Sequence, residues 1–352
     1  MRRALKAAGY CLILGLAAVC ILAFLEGLLH LGPVLGQLWH PRKPAEAITT
    51  RFDRELGWVS KPLLDLPDFY GGGLALRTNS RGFRNDREFD RPPARNKTRV
   101  VCSGDSFALG YGVAQDEGWC ARLEKLDNRI ETVNMGQGGY GIDQSYLWFR
   151  REAPLMDFKA HLFTFTYVDF ERLQSKDFFG YAKPSLRSAG GRIDAGAVKA
   201  AGGFRVGAFA GRTVILHQLK LVQALETFYR RSLMRPVTAE VRNLTPAVLE
   251  AVKRINQDQK SRLVCVYLPA PMDFSATRLD ELRLFLKETC ERGGIALIDL
   301  TPEFRRLTPN QRSEMFLSAL DSSYLGADGH YTAKGNAFVA QKIYDRIKPL
   351  LR

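Results

Sequence analysis

The sequence predicts an α/β fold in three layers, a five-stranded parallel sheet with helices on both faces, preceded by one N-terminal transmembrane helix. Three observations carry this reading. From residue 97 onward, short apolar β-branched runs alternate with segments of helical spacing. Residues 7–25 form a run of nineteen without a charge. The 352 residues are 46% apolar and 25% charged, the composition of a folded globular chain and not of a disordered or collagen-like one.

The amino terminus comes first. Arg2, Arg3 and Lys6 precede the uncharged run, which as a helix at about 1.5 Å per residue reaches roughly 28 Å, close to the hydrocarbon thickness of a bilayer. A cleavable signal peptide is the competing reading. Its apolar region is shorter and ends in a small-x-small site, whereas Glu26 and bulky leucines follow here. Positive charge packed at the amino-terminal end predicts residues 1–6 in the cytoplasm, an anchor over 7–31 and everything after it extracytoplasmic. The expected location is therefore a bacterial inner membrane, single-pass, with the globular part in the periplasm.

Residues 32–96, rich in Pro, Gly and Arg, read as a stalk and an irregular lead-in. Residues 97–352 form the domain. Strands are expected over 99–102, 130–134, 161–167, 262–268 and 295–299. Helices are expected over 119–126, 143–152, 214–231, 246–257, 278–292 and 333–350, with a short one opening at Thr301-Pro302. Thr245 as cap and Pro246 in the first turn open the helix at 246. A Gly-rich stretch from 170 to 212 starts an insertion at about 170–245, a candidate for substrate choice because loops on a rigid sheet carry specificity.

Composition also limits partners. The net charge is +14, yet no zinc-finger, helix-turn-helix or aromatic ribonucleoprotein pattern accompanies it, and no block of like charge occurs. Nucleic acid is not expected; an anionic membrane surface or acidic glycan fits the charge as well. Six cysteines are too few for a disulfide scaffold. Cys102, Cys120, Cys265 and Cys290 fall in strands and helices and read as buried thiols. No metal-ligand cluster or nucleotide motif implies a cofactor.

Open parallel sheets bind ligands at the carboxyl ends of their strands. The first strand ends in Ser103-Gly104-Asp105-Ser106, which sets Ser106 at a strand-to-helix junction, either as a nucleophile or as part of an ordinary helix cap. The second ends in Asn134-Met135-Gly136-Gln137-Gly138-Gly139-Tyr140-Gly141. Its glycines let the backbone approach a ligand and present N–H groups to an oxyanion; the spacing is not that of a phosphate loop. Of five histidines, His30 and His40 are juxtamembrane, His161 begins an apolar strand and His217 lies in a helical run. His330 alone sits in a polar loop, with Asp328 two residues upstream, the serine–histidine–aspartate division of labour.

Gly104-Asp105-Ser106, the Asn134 to Gly139 turn and the late Asp328-x-His330 resemble the conserved blocks of the SGNH/GDSL hydrolase superfamily. Asn79-Ser80-Arg81-Gly82-Phe83-Arg84 and Lys334-Gly335-Asn336 resemble its membrane-anchored bacterial branch. The resemblance runs from about residue 79 to the carboxyl terminus. It implies a flavodoxin-like sheet, Ser106 as nucleophile, His330 as base, Asp328 as orienting acid and the N–H groups of Ser106 and Gly139 as oxyanion donors. Two departures stand out. Ala327 occupies the position three before the histidine where an aspartate is often found, and Val168 stands where an oxyanion asparagine is usual. Loss of one oxyanion donor costs about 100–1000-fold in rate.

The expected function is a membrane-anchored extracytoplasmic serine esterase hydrolysing an O-acyl ester, O-acetyl included, of an envelope glycan or lipid. Acyl transfer onto a cell-envelope polysaccharide and a non-catalytic binding module of the same fold are the alternatives. No metal or other cofactor is expected, and protein partners remain open.

Overall fold

The computed structural model describes residues 2–29, 45–178, 180–189, 192–198, 225, 228–229, 235–318 and 327–351. The chain divides into two compact units, Met1–Arg42 with Val206–Leu233, and Lys43–Arg205 with Met234–Arg352. The first contains helix α1 (Arg2–Leu29), within which Gly9–Gly27 is long and apolar enough to cross a membrane, with a mean hydropathy of 2.2. A signal sequence passes the same test of length and composition. The expected stalk up to residue 44 and most of the expected helix over 214–231 lie outside the described residues, as do His30, His40 and His217.

The second unit is built on a five-stranded sheet: β1 (Thr98–Gly104), β2 (Ile130–Gly136), β3 (Ala160–Phe165), β4 (Arg262–Tyr267) and β5 (Ala296–Asp299). The spatial order is β5-β4-β3-β1-β2, every neighbouring pair parallel. Apart from half-buried Thr98, all residues of β1, β2 and β3 are buried. Such burial requires cover on both faces, and the charges within it are paired, Arg99 Nε of β1 donating to Glu131 Oε1 of β2 at 2.6 Å. Helices α3 (Trp119–Leu126) and α8 (Ala333–Ile347) pack together, and α4 (Ile142–Glu152) packs against α6 (Ala239–Asp258), itself in contact with α7 (Leu279–Gly293). In α8, Asn336, Val339, Ala340, Ile343 and Ile347 recur at the three-to-four-residue spacing that puts one stripe on the core.

Read from β2, the order is 2-1-3-4-5, so the chain reverses direction across the sheet between β1 and β3. That switch point is where open α/β sheets leave a crevice at the carboxyl ends of their strands. Two short helices follow the strands there: α2 (Ser106–Leu109) after β1 and α5 (Tyr167–Leu173) after β3.

Three expectations change. Thr245-Pro246 does not start a helix: α6 begins seven residues earlier, at Ala239, capped by Thr238, whose Oγ1 accepts from Val241 N at 3.3 Å, and Pro246 lies inside it. The apolar stripe of Val241, Leu244, Val248, Leu249 and Val252 continues through the proline, so packing outweighs its missing N–H. Tyr167 opens a helix instead of ending a strand. The described part of the insertion forms antiparallel hairpins pairing Asp177–Phe178 with Tyr181–Ala182 and Leu186–Ala189 with Arg192–Ala195. From residue 45 the lead-in belongs to the same unit as the sheet. Leu56, Trp58, Val59 and Phe83 are buried in the main core.

Asn79 organises the lead-in's tight turn, its Oδ1 accepting from Arg81 N and Phe83 N, both at 3.0 Å. Next to it Arg84 is buried, donating to the carbonyls of Ala75 (3.2 Å), Leu109 (2.9 Å), Val113 (2.7 Å) and Gly110, and to Gln115 Oε1 (3.1 Å). Arg84 therefore satisfies the carbonyls that α2 leaves open at its carboxyl end.

Candidate active site

Ser106 is the first residue of α2. Asp105 caps the helix through its Oδ1, which accepts from Phe107 N at 2.8 Å, so the capping role falls to Asp105 and the Ser106 hydroxyl is not used for it. The helix sits close on the sheet because Gly136 has no side chain: a Cβ there would lie 2.0 Å from Leu109 N. Asn134 completes the seat, its Nδ2 donating to Leu109 O at 3.3 Å.

The structure brings His330 to Ser106. His330 Nε2 and Ser106 Oγ are 2.7 Å apart. The imidazole stacks between Phe107 (centroids 4.6 Å apart) and Tyr111 (4.9 Å), and its Nδ1 lies 3.2 Å from Ala327 O. A carbonyl can only accept, so Nδ1 carries the proton and Nε2 of the neutral ring presents a lone pair to the serine hydroxyl. This is the tautomer a general base requires.

Asp328 is not the group that sets this tautomer. Its carboxylate is exposed, and no hydrogen bond joins it to the ring among the described residues. The turn explains why. His330 N donates to Ala327 O at 3.2 Å and Gly329 adopts φ +80°, which curls the chain so that the carbonyl three residues back, not the side chain two back, meets Nδ1. Partial desolvation pushes the Asp328 carboxyl up from its ordinary value, with the Gly329 amide opposing it. Burial pushes His330 down to about 4. The charge of Asp105 and the carbonyls of Ala327 and Asp328 work against that shift, and Arg172 works with it.

Gly139 lies in the turn after β2 with φ +78°, where a Cβ would strike the Phe178 ring at 2.4 Å. Position and packing both require glycine here. Neither the Ser106 nor the Gly139 backbone N–H meets a protein acceptor among the described residues. The lead-in clamps this turn. Trp58 Nε1 donates to Gly138 O (3.0 Å), Ser60 Oγ to Gln137 Oε1 (2.6 Å) and Tyr140 Oη to Trp58 O (2.5 Å). Glu46, buried against Gly138, has its carboxyl raised by desolvation.

On α5 Val168 is half-buried and packs against the main core, with no hydrogen-bonding group to offer. One turn further, Arg172 Nη1 donates to Asp169 Oδ1 (3.0 Å), Tyr140 O (3.0 Å) and Asp105 Oδ2 (3.3 Å). Burial, then the charge of Asp105, pushes Asp169 well above the usual carboxylate range. Arg172 was not legible as a site residue beforehand. The signal available was the capping box Thr166-x-x-Asp169, which starts α5 and fixes what lies one turn on.

A second serine–histidine pair has the opposite polarity. Ser103 Oγ and His161 Nε2 are 2.7 Å apart, but Asn256 Nδ2 lies 3.2 Å from His161 Nδ1. That amide is oriented by its bonds to Val252 O (2.8 Å) and from Ser261 Oγ (2.8 Å), so it donates to Nδ1. The proton is then on Nε2 and points at Ser103. Both residues are fully buried, and burial lowers His161 well below the ordinary value. The pair is a polar tie within the core and cannot activate its serine.

No protein-family model and no curated relative matches the sequence. Solved structures do resemble it. They include a member of the lipolytic protein G-D-S-L family from Veillonella parvula (13% identity, TM-score 0.42, 71% of this chain and 98% of that one). An acetyl xylan esterase aligns at 14% identity with a TM-score of 0.40 over 71% of this chain and 99% of its own. The psychrotrophic esterase EstA from Pseudoalteromonas, inhibited by monoethylphosphonate, aligns at 12% with a TM-score of 0.39 over 72% and 99%.

Proposed function

We propose that the chain is a serine ester hydrolase of the SGNH/GDSL type, anchored by α1 in a bacterial inner membrane with its globular unit in the periplasm. Its substrate is an O-acyl ester of an envelope glycan or lipid. The observation that carries this reading is the 2.7 Å contact between Ser106 Oγ and His330 Nε2, with Nδ1 held against the Ala327 carbonyl.

In this mechanism Ser106 Oγ attacks the ester carbonyl carbon as its proton passes to His330 Nε2. The N–H groups of Ser106 and Gly139 receive the negative oxygen of the tetrahedral intermediate. Collapse breaks the carbon–oxygen bond, and His330 returns the proton to the departing alkoxide. Water then attacks acyl-Ser106 by the same route, its proton passing through His330 back to the serine. The backbone carbonyl of Ala327 orients the ring throughout.

The test uses the full-length chain in detergent with an activated acetyl ester and a fluorophosphonate label. Ser106→Ala is expected to abolish labelling and remove nearly all hydrolysis. Unchanged labelling and turnover would end the proposal. Product analysis with a sugar hydroxyl present separates hydrolysis from acyl transfer, because transfer places the acyl group on the sugar.

A further inference from the structure

Two loops supply the oxyanion donors: β1 runs through Asp105 into Ser106, and the turn after β2 runs through Gly139 into Tyr140. One side chain holds both. Arg172 Nη1 lies 3.3 Å from Asp105 Oδ2, the residue before the nucleophile, and 3.0 Å from Tyr140 O, the residue after the second donor. Asp169 Oδ1 at 3.0 Å is its third partner. On the other side the guanidinium lies 5.3 Å from the centroid of Phe178, the ring that covers Gly139, and Lys183 Nζ fixes the Arg172 carbonyl at 2.5 Å. Nε and Nη2 have no protein acceptor among the described residues.

Resting on the hydrolase reading above, we propose that Arg172 is a positioning residue that locks the Ser106 and Gly139 amides into one oxyanion site and adds a fixed positive charge beside it. All three of these contacts are made by one nitrogen, Nη1, which the rigid planar guanidinium holds in place where the ammonium of a flexible lysine stem would not be held. Its charge favours the transition state specifically, since negative charge develops on the carbonyl oxygen only during attack. The same charge is felt at His330, where it opposes protonation; the other groups acting on that ring are Asp105 and the Ala327 and Asp328 carbonyls. A purely structural role is the rival account, because buried Asp105 and Asp169 need a cation regardless of chemistry.

The experiment compares Arg172→Lys and Arg172→Gln with the unmutated full-length chain in detergent, measuring kcat, KM, the pH profile of kcat/KM and melting temperature. Arg172→Gln is expected to lower kcat about 100-fold or more with KM within about threefold, and to move the acidic limb of the profile to higher pH. Arg172→Lys is expected to leave that limb in place while kcat falls about tenfold. A Gln variant with kcat within about threefold of the original overturns the proposal. So does a loss of activity in both variants that tracks melting temperature and leaves the limb unmoved. Should the Gln variant not fold, the Lys variant decides: a tenfold lower kcat at unchanged melting temperature supports the proposal, and an unchanged kcat refutes it. Absence of Ser106-dependent hydrolysis in the unmutated chain would instead remove the hydrolase reading, and this inference with it.

Discussion

Replacing Asp328 with Asn tests which group orients the imidazole. Where a carboxylate holds the Nδ1 proton of a catalytic histidine, the Asn substitution lowers kcat about 10,000-fold, because it admits the wrong tautomer. In this protein the Nδ1 contact is the Ala327 carbonyl at 3.2 Å, and the Asp328 carboxylate is exposed. The tautomer is therefore set by backbone and survives the change. What is lost is the attraction of a solvent-screened charge for the imidazolium formed in the transition state, worth about 1 kcal/mol or less. That corresponds to a fall in kcat of about fivefold at most. The assay is steady-state hydrolysis of an activated acetyl ester by full-length protein, with melting temperature as the control for folding. A loss of 1000-fold or more at an unchanged melting temperature would show that Asp328 reaches the ring during turnover and would refute the backbone account.

Three further outcomes follow from the geometry. His330, lowered to about 4 from 6.5, stays neutral and competent as a base through the weakly acidic range, so the acidic limb of kcat/KM is expected near pH 4; a limb near 6.5 would contradict the burial of the ring. Because its folded value is depressed, the stability it contributes is present above pH 6.5 and is lost as pH falls towards 4, a slope that His330→Asn should flatten in pH-dependent thermal melts. Arg84→Met leaves the carbonyls of Ala75, Gly110 and Val113 without their donor, while Leu109 O keeps Asn134 Nδ2; at about 1–3 kcal/mol for each one left unpaired, a loss of about 3–5 kcal/mol in denaturant unfolding is expected. Ser103→Ala strands the buried His161 Nε2–H and should cost about 1–3 kcal/mol while kcat stays unchanged, separating the tie in the core from the pair at the surface.

The sheet was legible because β-branched and aromatic residues cluster in β1, β2, β3 and β4. The helix over 119–126 has the bounds the spacing predicted. Ser106 and His330 were findable from strand-end position and from elimination among five histidines. Asp328 illustrates the limit. Sequence spacing puts a carboxylate two residues from the ring, but only the φ of Gly329 decides whether side chain or backbone faces Nδ1. Arg172 was hidden because its three acceptors come from three separate segments, and no local pattern announces such a convergence. The start of α6 was misread because Thr245-Pro246 is a strong local signal, overridden by an apolar stripe that runs past it. The lead-in read as irregular because its strands are only two to four residues long, too short for alternation to show.

The serine and its base are 224 residues apart, and the glycine turn between them is gripped by residues 58–60 from near the start of the unit. A chain emerging from the ribosome thus presents the hydroxyl long before anything exists to deprotonate it. Until His330 and the residues of α8 behind it have been made, Ser106 Oγ lacks the ring nitrogen that meets it at 2.7 Å, and the hydroxyl is an ordinary alcohol.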